Sequence, residues 1–141
     1  MAKYRFAKLF SQQEANELIP RLEIVIRRLQ SQANSLREQI QELSRRDNSV
    51  LHRELDDIIK NYPELRSFTG SMAEAAAEID SMGCLLKDID QGLIDFPHEQ
   101  GDEVVFLCWQ SGEPQIIAWH PVESGFSGRQ PLPGVPKLYL N

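Results

Sequence analysis

The sequence has few of the features that mark a secreted, membrane or disulfide-stabilised protein. Its 141 residues include only two cysteines, so a disulfide framework is excluded and a reducing cytoplasm is the expected compartment. No apolar run approaches the roughly 18 residues of a membrane span, and the amino end lacks the apolar core of a signal peptide. The net charge of −6 opposes general nucleic-acid binding. We therefore expect neither a membrane nor a nucleic acid as partner.

The remaining composition is that of an ordinary globular chain. Apolar residues make up 41% and charged residues 26% of the sequence, which argues against disorder, and the length suits a single domain over residues 1–141. At Gly83 the apolar periodicity changes from helical to alternating. The expected fold class is therefore α+β, with a helical hairpin in residues 1–83 and a β-meander plus tail in residues 84–141.

Helix 1 is predicted over about residues 11–46. Ser11 and Glu14 have the spacing of a capping box at its start. An apolar stripe follows at heptad-like spacing and consists of Leu18, Leu22, Val25, Leu29, Ala33, Leu36, Ile40 and Leu43. Pro20 either kinks this helix or begins it after a short helix that ends at Ile19. We favour the kink because the stripe does not change phase there.

Two further helices are predicted over residues 50–61 and 63–82. Tyr62-Pro63 separates them, and Gly83 is the expected left-handed stop. Folded back on helix 1, they would form a long antiparallel hairpin with a coiled-coil-like seam.

The second half of the chain reads as a four-stranded antiparallel meander over residues 84–120. The predicted strands are 84–89, 92–96, 103–110 and 115–120. The links between them are short enough for hairpins. The tail from Pro121 holds four of the eight prolines and three of the eight glycines, so we expect it to be irregular but packed.

The register of the last hairpin decides whether Cys108 and His120 lie together. An even loop between residues 110 and 115 would place them on opposite faces and roughly 10 Å apart along the strands. Only an odd, bulged loop would return them to one face. No CxxC, HxxxH or HExxH motif is present, so the sequence assigns Cys108 to the core rather than to a metal shared with His120. The even register also places Trp109 and Trp119 on opposite faces, one against the helices and the other under the tail or exposed.

Acidic residues around the first β-turn are candidate metal ligands. Asp88 and Asp95 straddle the turn, and carboxylates in register suit a divalent cation, with His120 as a third candidate. Turn chemistry and a solvated sheet edge explain the same acids without a metal.

The segment from Ser124 to Arg129 is a candidate anion site. Gly125 and Gly128 allow backbone N–H groups to converge, and Arg129 adds a forked cation. The full set of ligand candidates is Arg129, His120, Gly125, Gly128 and Glu113. The alternative is that Arg129 forms an internal salt bridge with Asp88, Asp95 or Glu113.

Several motifs of the chain together resemble one family. They read FSQQEANELIPRL, LKDIDQGLIDFP, VVFLCWQSGEPQIIAWH and GFSGRQPL. This set is similar to the bacterial and archaeal family catalogued as domain of unknown function 2203, and the resemblance covers the whole chain. The matching positions are Lys87, Asp88, Gly92, Asp95, Phe96, Pro97, Cys108, Trp109, Gly112, Glu113, Trp119, His120, Gly125, Phe126, Gly128 and Arg129. The resemblance implies no activity, but it implies that the polar motif residues Asp88, Asp95, Glu113, His120 and Arg129 form one network.

Two functions are compatible with these patterns. The favoured one is a non-catalytic interaction or scaffold module whose helices bind a protein partner or a second copy, with no cofactor. The alternative is a small protein, possibly an enzyme, that binds a divalent metal or an anion in a polar site at the end of the sheet. In both cases the expected structural core of the second half is Trp109, Trp119, Cys108 and Phe96.

Overall fold

A computed structural model describes residues 5–136 and residue 140 of the chain. Its helices are α1 (Gln12–Arg46), α2 (Leu55–Asn61) and α3 (Arg66–Ser81), with short 3-10 turns over Asn48–His52, Pro63–Leu65 and Phe126–Gly128. Its strands are β1 (Leu85–Asp88), β2 (Leu93–Gln100), β3 (Glu103–Gln110), β4 (Ala118–Pro121) and β5 (Gln130–Pro131). The α+β class predicted from the sequence is confirmed.

Helix α1 begins and continues as its sequence predicts. The Ser11 N–H donates to Glu14 Oε1 at 2.8 Å, and the Glu14 N–H donates to Ser11 Oγ at 3.0 Å, which completes the capping box. The helix continues through Pro20 without an end at Ile19. Pro20 stands near the amino end, so its ring and missing N–H disturb only the first turns of a 35-residue helix.

The return half of the hairpin is more broken than predicted. The helix predicted over residues 50–61 is wrong at its start, because residues 50–52 belong to a 3-10 turn and α2 begins only at Leu55. The 63–82 prediction divides into a 3-10 turn and α3. The hairpin is antiparallel, since Arg21 near the start of α1 donates to Glu78 near the end of α3 at 2.6 Å.

Two apolar clusters hold these elements together. The larger one joins the first half of α1 and α3 to one face of the sheet, where Ile94, Phe96, Leu107 and Trp109 are fully buried. The smaller one lies beyond the sheet and consists of Leu36, Leu43, Val50, Ile58 and Leu65. The far half of α1 is therefore covered by the chain's own return helices.

The sheet has five antiparallel strands in the order β1-β2-β3-β4-β5, one more than predicted. Strand β2 also continues four residues beyond the predicted end at Phe96. Pro97 is tolerated within it because β1 pairs only with residues 93–95, which leaves that edge of β2 open. There the Pro97 carbonyl accepts the Phe10 N–H at 2.7 Å. The nitrogen of a strand residue points to the same side as its carbonyl, so the Pro97 nitrogen, which has no hydrogen to donate, also faces this open edge.

The predicted register of the last hairpin is wrong. Strand β4 begins only at Ala118, and Cys108 pairs with Ala118, Leu107 with Trp119 and Phe106 with His120. Because side chains alternate between faces, this register places Cys108 and His120 on the same face. It also places Trp109 and Trp119 together on the opposite face, against the helices, where the sequence predicted that they would be separated.

Gly92 and Gly101 provide a matched pair for measuring a close backbone approach. Both have positive φ, +67° and +62°, but a Cβ at Gly92 would lie 2.6 Å from the Ser111 Cβ, whereas a Cβ at Gly101 would meet nothing within 4 Å. Alanine at Gly101 should therefore cost about 1 kcal/mol of unfolding free energy, for the backbone strain alone. Alanine at Gly92 should cost roughly 1–3 kcal/mol more, because the clash is added. Urea unfolding of the two variants measures the difference, and equal losses would contradict the close approach.

Candidate functional site

Three side chains from neighbouring strands meet on the sheet face that points away from the helices. Asp95 comes from β2, Cys108 from β3 and His120 from β4. Asp95 and Cys108 are directly paired, and His120 lies one diagonal step away, opposite Phe106. One donor atom of each residue lies within 4.8 Å of the other two, and all three residues are buried. We call these residues the Asp-Cys-His cluster.

His120 has both ring nitrogens engaged. Its Nε2 lies 3.0 Å from Asp95 Oδ2, and its Nδ1 lies 2.8 Å from the Pro121 carbonyl oxygen. A carbonyl only accepts, so Nδ1 carries a hydrogen and donates it to Pro121. Nε2 therefore faces Asp95 either as a second N–H donor or across a proton shared with the carboxyl group.

This arrangement favours the protonated imidazole. Burial acts to lower the pKa of His120, but the hydrogen bonds to Asp95 and Pro121 together with the Asp95 charge outweigh it, and the pKa is raised above its ordinary value. The Asp95–His120 pair thus holds one proton on the path between its two side chains. A cation could take the place of that proton.

Asp95 is incompletely satisfied. The residue is 2% exposed, and its Oδ1 has no hydrogen-bond partner among the described residues. On the other oxygen, Lys87 Nζ stands 3.8 Å from Oδ2. An unpaired buried carboxylate oxygen costs free energy, so Oδ1 is an acceptor that a water molecule or an ion in the adjoining cavity would satisfy.

Cys108 is a buried free thiol of low acidity. Burial, with the neighbouring Asp95 charge as a second cause, raises the pKa of the Cys108 thiol to about 12. The His120 ring cannot act as its base, because both nitrogens are engaged elsewhere. The cluster is therefore unsuited to nucleophilic catalysis by a thiolate, which needs a lowered pKa or an adjacent free base.

The cluster opens onto a small cavity of about 70 Å³. The cavity is lined by Lys87, Leu93, Asp95, Cys108, His120, Ser124, Gly125 and Phe126. Its outer wall is the loop 124–126, which follows β4. Phe106, from the same sheet face, packs edge-on against His120 with ring centroids 5.5 Å apart. The walls are thus apolar apart from the cluster itself, Lys87 and Ser124.

Arg129 and Glu113 form a second polar pair next to the first. Arg129 Nη2 donates to both carboxylate oxygens of Glu113, at 3.0 and 2.8 Å, and the guanidinium lies 4.8 Å from the Phe126 ring centroid. The Gly128 and Arg129 N–H groups donate inside the 3-10 turn, to the Gly125 and Phe126 carbonyls. The sequence offered Arg129 with Gly125 and Gly128 as an anion site. In the structure the Arg129 Nη2 is paired with Glu113 and the Gly128 N–H is used inside the turn, while the buried Arg129 Nε has no hydrogen-bond partner among the described residues.

Of the two acidic residues that the sequence offered as metal ligands, Asp88 lies at the first β-turn and Asp95 lies in the Asp-Cys-His cluster. Asp88 Oδ1 accepts the Gln91 N–H at 2.8 Å, so Asp88 caps the first β-turn, and Asp95 faces Leu85 instead. The five polar motif residues thus form two pairs and a turn contact. The sequence missed Cys108 and Lys87 as members of the site. Only the length of the loop between β3 and β4 could have indicated Cys108, because an odd number of loop residues places Cys108 and His120 on one face of the sheet.

A helical hairpin packed on one face of a five-stranded antiparallel sheet, with a buried Asp-Cys-His cluster on the other, defines the class of this protein. The chain belongs to the family described as Uncharacterized conserved protein (DUF2203), whose model matches residues 8–132. No curated protein and no solved structure matches the chain. Within the described residues, no helix combines the length and apolar character needed to cross a bilayer.

Proposed function

We propose that this protein binds one divalent transition-metal ion of the zinc type through Asp95, Cys108 and His120. The observation that carries the proposal is the buried cluster of three different metal-ligand types whose donor atoms lie within 4.8 Å of one another. Thiolate, imidazole and carboxylate are the ligands that zinc accepts in proteins, and three protein ligands leave a fourth position open.

The dimensions suit such an ion. Zinc bonds of about 2.0–2.3 Å place tetrahedral ligands roughly 3.5 Å apart. The largest separation between donor atoms is within 4.8 Å and needs to shorten by about 1 Å, whereas His120 Nε2 and Asp95 Oδ2, at 3.0 Å, need to part slightly. No movement of the strands is needed, because Asp95 and Cys108 are already direct partners in the sheet.

The surroundings of the cluster also fit. A metal-bound histidine characteristically donates its other N–H to a carbonyl or a carboxylate, and the His120 Nδ1 faces the Pro121 carbonyl. The free Oδ1 of Asp95 would become satisfied by the ion or by a ligand of the ion. The purely structural alternative is a buried polar cluster in which Asp95 pairs with His120 and lies against the Cys108 thiol; it leaves Asp95 Oδ1 without a hydrogen-bond partner among the described residues.

Cobalt binding tests the proposal, with the two buried cysteines as a matched pair. The metal-free wild-type protein should take up one Co²⁺ per chain and develop a thiolate-to-cobalt charge-transfer band. Cys108→Ala should lose that band and weaken binding by more than about 100-fold, since even residues outside the ligand set contribute 10–100-fold. Cys84→Ala removes the same atoms from the helix-facing core and should leave the band intact.

Absorbance titration and native mass spectrometry measure the stoichiometry and the affinity. The proposal fails if the wild-type protein takes up no cobalt, or if Cys108→Ala keeps the charge-transfer band.

Interaction through the helical hairpin stays a prediction. The length of helix 1 motivated it, but the far half of α1 packs against the chain's own 3-10 turns and α2. Large apolar side chains that remain exposed on the hairpin are Ile24, Leu51 and Leu55. Leu51 belongs to the 3-10 turn after α1 and Leu55 is the first residue of α2, so this end of the hairpin is the surface that best supports a protein partner or self-association.

A further inference from the structure

The next inference rests on the proposed metal site and concerns its fourth ligand. The charges of a divalent cation, the Asp95 carboxylate and the Cys108 thiolate sum to zero, and the neutral His120 ring adds no charge. Lys87 then adds one positive charge beside the site, with Nζ 3.8 Å from Asp95 Oδ2 and on the wall of the cavity, and water screens part of this charge because the side chain is 41% exposed. An anion at the fourth position would neutralise it.

The position of Lys87 is set by the sheet rather than by chance on a flexible surface. The register of β1 on β2 is interrupted between Leu86 and Asp88, so the irregularity falls on Lys87. Leu85 pairs with Asp95, so the alternation of side chains already places Lys87, two residues further on, towards the face of the cluster. Lys87 Nζ also lies 4.6 Å from the Phe106 ring centroid, which holds the ammonium group over the cluster.

The cavity limits the size of the anion. Its volume of about 70 Å³ has room for a few water molecules or for an ion of about three or four heavy atoms. Leu93 and Phe126 make part of its wall apolar, and Arg129, whose Nη2 donates to both oxygens of Glu113, is not among the described residues that line it. These features disfavour a large or multiply charged ligand such as a nucleotide.

We propose that the fourth position of this site takes a small monoanion from the cavity side, and that Lys87 is the residue that selects for its charge. Hydroxide, a short carboxylate and a linear triatomic anion all belong to this class. Lys87 acts here as a specificity residue for the exogenous ligand and is not itself a metal ligand.

Azide titration of the cobalt-loaded protein tests this directly. Azide should shift the d–d absorption bands of wild-type Co²⁺ protein in a saturable manner. Lys87→Met, loaded to one cobalt per chain as the wild-type protein is, should bind azide about tenfold more weakly, as expected for loss of one partly screened charge interaction. Lys87→Arg should retain most of the affinity.

Lys60→Met is the matched control, because it removes one positive charge from an exposed position on α2 and should leave azide binding unchanged. Circular dichroism confirms that each variant is folded. Cobalt uptake without any azide response, or equal azide affinities in the wild-type protein and Lys87→Met, would overturn this inference and leave the metal site standing. A wild-type protein that takes up no cobalt would overturn both.

Discussion

Zinc at a thousandfold excess over its dissociation constant is expected to raise the free energy of unfolding of the metal-free protein by about 4 kcal/mol. For a chain of this length that corresponds to a rise in Tm of roughly 10–15 °C. The stabilisation is expected because, at the proposed site, the ion would bind three strands at once through Asp95, Cys108 and His120, a geometry that exists only in the folded state. Differential scanning calorimetry with and without zinc measures it.

A control variant separates this effect from zinc binding elsewhere. His120→Ala should remove the zinc-dependent rise, whereas His52→Ala, which alters an exposed histidine on the hairpin, should retain it. An equal rise in both variants would contradict the assignment of the site.

The proposed site predicts that the stability of the metal-free protein and its affinity for metal change with pH in opposite directions. The pKa of His120 is raised in the folded protein, so without metal its contribution is fully present below the ordinary histidine pKa and is lost as pH rises through the raised value. A metal ion at the proposed site would displace the His120 Nε2 proton and the thiol proton of Cys108, whose pKa is raised to about 12. Metal affinity should therefore rise by about 100-fold per pH unit while His120 is protonated and by about tenfold above its pKa.

The second large effect is expected at the ion pair that fixes the tail. Arg129→Met should lower the free energy of unfolding by about 3 kcal/mol, because it leaves the largely buried Glu113 carboxylate without its cation. The two side chains are 5% and 16% exposed, and Arg129 holds both carboxylate oxygens. In the double variant Arg129→Met/Glu113→Gln part of this loss should be recovered, since no buried charge remains.

Arg37→Met is the matched control for Arg129→Met. Arg37 also pairs with a carboxylate at 2.7 Å, but there the side chains of Arg37 and Asp90 are 57% and 65% exposed. Its loss should cost less than about 1 kcal/mol. If urea unfolding gives the same cost for both arginines, the buried pair does not hold the tail as described.

Local sequence patterns determined most of the architecture. The capping box at Ser11, the apolar stripe and the change of period at Gly83 depend only on neighbouring residues, so helix 1 and β3 are found within about one residue of their predicted bounds. The salt-bridge alternative for Arg129 included its actual partner, Glu113. The sequence did not predict the 3-10 turn over Asn48–His52, because the spacing of apolar residues there matches that of an α-helix.

Tertiary structure alone decided the site. Residues 111–117 do not fold as a tight turn: the Ile116 N–H donates to Asn16 Oδ1 on α1 at 2.6 Å, and the Ile117 carbonyl accepts the Leu132 N–H at 2.9 Å. Both partners are distant in sequence, so no local pattern reports them. With these two contacts in place, β4 begins only at Ala118. Side chains alternate with a period of two, so the face that carries His120 depends on where β4 pairs with β3. The sequence by itself determined which elements form; contacts across the fold determined that Asp95, Cys108 and His120 meet.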